Sequence, residues 1–127
     1  MTEQITICIK LPNRVLSPNY RPASLGGRFG VASASKKQRK TTREAIEQFA
    51  IETLPWQKCE VLVSLYYQHK ARRDTDNAIG SLKSMYDGIV DAGIVADDTP
   101  DYMTRAEPVM LVDKTQPRTE ITIRRLK

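Results

Sequence analysis

Apolar and polar positions alternate from the start of the chain. Between Gln4 and Leu11, Ile5, Ile7, Ile9 and Leu11 share one face while Thr6, Cys8 and Lys10 take the other, the period of a half-buried strand that Pro12 ends. No periodicity is sustained from Pro12 to Ser35, a stretch holding three prolines and three glycines, which reads as a long loop. Ser35 can cap a helix continuing to about Thr53, with Ile46, Phe49, Ala50 and Thr53 as its buried stripe and Leu54-Pro55 as its stop. From Glu60 to Tyr67, Val61, Val63, Leu65 and Tyr67 alternate with Leu62, Ser64 and Tyr66, and both faces are apolar enough for a central strand. On a helical wheel begun at Asp76, Ile79, Leu82, Tyr86, Ile89 and Val90 gather in one sector, and Gly93 closes that helix. Two further strands are predicted at 106–112 and 118–124, joined by a turn at 113–117; Pro108 makes the first an edge strand or delays its start. The order strand, helix, strand, helix, strand, strand predicts a two-layer α+β domain over residues 1–127. Its sheet is expected to be four-stranded, mostly antiparallel or mixed, with two main helices.

Composition adds limits. With 40% hydrophobic residues and a mean hydropathy of -0.45, the chain is an ordinary globular protein, long enough at 127 residues for one core. No run approaches the ~20 apolar residues of a membrane span, and no basic region precedes a hydrophobic one at the N-terminus, so a cytoplasmic protein without membrane contact is expected. Cys8 and Cys59 stand singly in apolar surroundings and are expected to be small buried hydrophobes kept reduced.

The net charge of +5 says little until its distribution is considered. The loop carries Arg14, Arg21 and Arg28 with Tyr20 and Phe29 among them, a candidate nucleic-acid contact, the alternative being a mobile surface loop. Lys36, Lys37, Arg39, Lys40 and Arg43 fall in the first turns of the predicted helix, where cations oppose the helix dipole unless an anion offsets them. Arg72 and Arg73 add a third basic cluster after the central strand.

That cluster leads into Asp74 and Asp76. On extended backbone, carboxylates at i and i+2 point the same way, and their repulsion is relieved by a hard divalent cation such as Mg²⁺ or Mn²⁺. Either aspartate could instead cap the following helix. Lys83 and Asp87 return to within about 20° of Asp76 on the wheel, so Lys83 could reach the site or pair with Asp87. Asp97 and Asp98 sit in a polar turn able to fold back and offer a third carboxylate. Ala78, Ile79 and Met85 exclude an EF-hand, the shortage of Cys and His disfavours zinc, and the lone His69 reads as a solvated strand end.

Arg72, Arg73, Asp74, Asp76, Asn77, Lys83, Asp87, Asp97 and Asp98, with Leu11, Pro12, Ser17, Pro18 and Asn19 after the first strand, resemble the pattern of the RusA family of Holliday junction resolvases. The resemblance covers most of the chain. It implies a homodimeric endodeoxyribonuclease that cuts paired strands of four-way DNA junctions in recombination and repair, as phages and prophages commonly encode. Asp74, Asp76 and Asp98 would hold Mg²⁺, with Mn²⁺ a possible substitute, assisted catalytically by Lys83 and supported by Asn77 and Asp97. The lysine lies about three residues further from the DxDN than in founding members, a turn of about 300° that keeps it on the same helix face. Alternatives are a nuclease for flaps or forks and a junction-binding protein without catalysis.

Overall fold

The computed structural model describes residues 3–18, 20, 25–71 and 73–126. Five strands form one mixed sheet: β1 (Gln4–Ile9), β2 (Lys58–Tyr67), β3 (Met103–Arg105), β4 (Val109–Val112) and β5 (Arg118–Leu126). Three helices accompany them: α1 (Leu25–Glu47), α2 (Thr75–Gly80) and α3 (Lys83–Asp91).

β2 is central, as its two apolar faces predict. β5 runs antiparallel along one side of it and is itself paired to β1, while β3 and β4 share the other side, both parallel to β2. The last two strands are therefore not hairpin partners: the 113–117 turn carries the chain across the end of β2, where Asp113 N–H donates to Tyr67 O at 2.8 Å. β4 starts after Pro108 at the sheet edge, as that proline requires. The sheet has five strands where four were expected, because β3 is only three residues long and its burial does not alternate.

Burial alternates along β1, β2 and β5, so one sheet face is covered and the other is open; Cys59 is buried as expected, whereas Cys8 lies on the open face of β1 and is exposed. Aligned rows such as Ile7, Ile121 and Val63 build the covered face, against which Ile46 of α1 and Leu82, Met85, Tyr86 and Ile89 of the α2–α3 region pack.

α1 differs most from expectation. It begins at Leu25, not Ser35, and stops at Glu47, so Ala50 and Thr53 lie beyond it and Phe49 is 42% exposed. Its inward stripe is Val31, Ser35, Gln38, Thr42 and Ile46, mostly polar side chains at helical spacing. Gln38 explains that polarity: its amide donates to Ser81 O at 3.1 Å and accepts from Ser84 Oγ at 2.7 Å, joining α1 to the start of α3. The cations at 36–43 consequently lie inside the helix, and a dipole at its N-terminus does not bear on them.

The single helix expected after Asp76 is two. Gly80 and Ser81 break it, a common place for a kink. Gly80 is needed there because a Cβ would stand 2.3 Å from Pro18 Cγ. Ser81 Oγ turns back to Ala78 O at 2.7 Å. Gly93, at φ +86, ends α3 in the left-handed conformation that glycine adopts without strain.

Asp113 gathers the turn that leads into β5. Arg118 above all, then the Gln116 and Thr115 donors, hold its carboxyl well below the ordinary carboxylate range. A carboxyl lowered by folding stabilises fully above its unfolded pKa of about 3.9 and loses that effect as pH falls through the native value. Asp113→Ala is accordingly expected to destabilise the fold at pH 7, with the gap to wild type narrowing on acidification. Urea unfolding at pH 7, 4 and 2 checks it, and a gap that stays constant refutes it.

Candidate functional site

The DxDN segment follows the central strand, and α2 starts within it. Asp74 is the N-cap of α2: its backbone is extended and its Oδ1 accepts from Asp76 N–H at 2.9 Å. One of the two readings of this residue is thus realised, and it leaves the second carboxylate oxygen outside that cap bond. Asp76 sits in the first turn, exposed, where a negative charge suits the helix dipole. Arg73, Asp74, Thr75 and Asp76 line one hollow.

A neighbouring hollow of about 300 Å³ shares Arg73 and Asp74 and adds Asn13, Arg14, Tyr67 and Asn77. Here the N-terminal segment meets the motif. Asn13 Oδ1 caps the 3₁₀ turn Arg14–Leu16 by accepting from Val15 N–H at 3.1 Å, which sets Arg14 on the rim. Arg73 lies over the Tyr67 ring at 3.7 Å and donates to His69 O at 3.2 Å. Its guanidinium is therefore held in place by the last residue of β2 rather than free in solvent. Burial in turn pushes the Tyr67 hydroxyl upward in pKa.

Lys83 is the first residue of α3 and exposed. Since α2 and α3 are separate, the wheel that set Lys83 behind Asp76 does not apply. Lys83 instead lines a third hollow with Tyr20, Arg28, Ser35 and Ser84, which shares Ser17 and Ser81 with the second. Among the described residues it makes no ion pair with Asp87.

Asp98 is engaged elsewhere. Arg105 of β3 donates to its Oδ2 at 2.8 Å and to its carbonyl at 3.0 Å, and the same guanidinium lies 4.3 Å from the centre of the buried Tyr86 ring. Asp97 Oδ1 accepts from Asp98 N–H at 2.8 Å, which tightens the turn. Among the described residues no group of three or more His, Cys, Asp or Glu side chains is gathered as a metal site. Asp74 and Asp76 come together; Asp98 does not join them in a group of three.

The basic positions divide. Arg39 pairs with Asp91 through two nitrogens and sits above its usual pKa for that reason, while Asp91 is held below its own. Lys40 and Arg43 make exposed pairs with Glu44 and Glu47 one turn on. Lys36 and Lys37 are exposed, and Lys37 lines a fourth hollow beside Pro12 and Asn13. Arg21 and Arg72, and Asn19 of the loop motif, lie outside the described residues. Arg105, which the sequence reading missed, carried no signal in a strand too short to show a period.

No protein-family model matches the chain, and no curated protein matches it. None of its helices, among the described residues, is long and apolar enough to cross a membrane.

Proposed function

We propose that the protein is a metal-dependent endodeoxyribonuclease that nicks four-way DNA junctions in the manner of the RusA resolvases it resembles, acting as a homodimer so that two sites make paired cuts. The observation that carries the reading is one hollow holding both signs of charge: Arg14 and Arg73 on its walls, Asp74 within it and Asp76 next door. Cations on a rim meet phosphate; carboxylates inside would be repelled by it unless a metal lies between. Between Glu3 and Glu44 the chain has nine lysines and arginines and no acid, which supplies a surface for a polyanion.

The donors fit a hard cation. Mg²⁺ is commonly held by one or two carboxylates, its other positions going to water and substrate phosphate. Asp74 and Asp76 would hold it here, joined by Asp98 on its release from Arg105, with Mn²⁺ as a substitute. When bound, the metal lowers the pKa of water and stabilises charge on the scissile phosphate. Arg73, fixed on Tyr67, and Arg14 orient that phosphate, and Lys83 holds the flanking backbone from the adjoining hollow.

Asp98 tests the extent of the ligand set. Its bond to Arg105 is exposed enough that losing it should cost only tenths of a kcal/mol (~0.5). Asp98→Asn is expected to fold normally, bind junctions and lose at least tenfold in cleavage rate; an unchanged rate would confine the metal to Asp74 and Asp76. The capping role of Asp74 favours one rival, a junction-binding protein whose acids are structural. Cleavage of an end-labelled four-way junction, beside linear duplex and flap controls, in Mg²⁺ and in EDTA, decides between them. Symmetric nicks in the junction alone, absent with EDTA, support the resolvase; cleavage of flaps instead redirects the specificity, and binding without cleavage in any metal leaves the rival.

A further inference from the structure

α1 carries a side chain that the site does not use. Phe29 is 66% exposed, more than any other large hydrophobic residue in the described chain. It stands on the first part of the helix, where Gly26, Arg28, Gly30, Ala32 and Ser33 are exposed too, and a Cβ built on Gly30 would meet nothing within 4 Å. At about 100° per residue, Ser33, Lys36, Lys40 and Arg43 all return to within about 40° of Phe29. The outer face of α1 is thus a row of three cations with an aromatic ring some 10 Å beyond the first of them along the axis, at about 1.5 Å per residue. Arg28, one residue and about 100° away, lines the hollow that holds Lys83.

An exposed phenylalanine alone says nothing about what covers it. The row decides: cations at one-turn spacing on a stretch that holds no acid before Glu44 suit a phosphate backbone, and an aromatic face in line with them suits a base. In an intact duplex no base face is free. At a branch point, stacking is interrupted and a face can be offered. The exposed ion pairs of Lys40 and Arg43 are one-turn surface pairs that phosphate can displace.

We infer that Phe29 stacks on an unstacked base at the branch of the nucleic acid while Lys36, Lys40 and Arg43 follow the adjoining phosphates, so that this face of α1 tells a branched molecule from a plain duplex. The inference rests on the nucleic-acid part of the proposed function but not on cleavage. Fluorescence anisotropy of the full chain in EDTA, with a synthetic four-way junction and a linear duplex of equal length, tests it. Phe29→Ala is expected to weaken junction binding about tenfold and duplex binding less than twofold, with Phe29→Trp restoring the difference. Lys36→Gln with Lys40→Gln should weaken both DNAs and lower the salt slope by about two. A 2-aminopurine at the branch should change its emission on adding wild type and not on adding Phe29→Ala.

Equal junction binding by wild type and Phe29→Ala overturns the inference, as does an equal loss on both DNAs. So does a wild-type dimer that becomes monomeric in Phe29→Ala by sedimentation, since a second copy would then be what covers the ring. A chain that cleaves junctions but tells them from duplex equally well without Phe29 refutes this inference alone; one that discriminates through Phe29 but never cleaves refutes the nuclease alone.

Discussion

Asp74→Asn is expected to remove junction cleavage, by about a thousandfold or more, in a protein that still folds and still binds DNA. The separation is possible because Asp74 has two duties that asparagine divides. As N-cap of α2 it accepts from Asp76 N–H, and an asparagine oxygen caps a helix about as well as an aspartate, so stability should change by only a few tenths of a kcal/mol (~0.3). As a metal ligand it contributes a full negative charge, which asparagine lacks. A thousandfold corresponds to about 4 kcal/mol of lost transition-state stabilisation, within the several kcal/mol expected of a metal placed against developing phosphate charge. Asp74→Ala loses the cap as well and should in addition be destabilised by about 1 kcal/mol. Asp76→Asn has no cap to preserve and should match Asp74→Asn in rate. Single-turnover cleavage, with Mg²⁺ titrated calorimetrically against each variant, makes the comparison. Full activity in Asp74→Asn would mean that its carboxylate is only a cap, and the assignment of the metal to Asp74 would fail with it.

Much of the scaffold around that site is legible because it depends on local periodicity. Ile5, Ile7 and Ile9 alternate and are buried; Val61, Val63 and Leu65 alternate within the central strand; Gly93 stops α3 where its positive φ demands glycine. What escaped are elements whose reasons are not local. α1 starts ten residues before its pattern predicts: Gly26, Gly27 and Gly30 each cost roughly 1 kcal/mol against alanine in a helix and its inward face is polar, so neither propensity nor pattern announces it. That face makes sense only beside Ser81 and Ser84, more than forty positions away. The glycine at the break between α2 and α3 likewise answers to Pro18, which no wheel drawn on the helix alone contains. The site shows the same division. The two aspartates and Arg73 lie within four residues of chain and line one hollow, whereas the engagement of Asp98 depends on Arg105 and Tyr86 and is visible only with β3 placed against β2.

The joint between α1 and α3 is where the fold and the site are coupled, and Gly88→Ala should break it. A Cβ on Gly88 would stand 2.5 Å from the Arg39 carbonyl oxygen and 2.8 Å from Thr42 Cβ. The first of these is helix backbone and cannot rotate aside, and the second belongs to a buried threonine whose hydroxyl donates to Gln38 O at 2.9 Å. The helices must move apart. Overpacking of this kind costs about 1–3 kcal/mol, and against a backbone atom the upper end is expected. Alanine recovers roughly 0.5–1 kcal/mol through its helix propensity, leaving a net loss near 2 kcal/mol, or about 8 °C in Tm for a chain of this size. Gly30→Ala is the control: the same substitution in a helix interior with open space around it should raise Tm by ~2–4 °C. Because Gln38 and Ser84 bridge the same two helices, the separation that Gly88→Ala forces also pulls at the start of α3, where Lys83 stands. Cleavage by Gly88→Ala should therefore fall even at temperatures where the variant is fully folded. A variant as stable as wild type would show that α1 and α3 can slide apart freely, and the rigid placement of Lys83 would go with it.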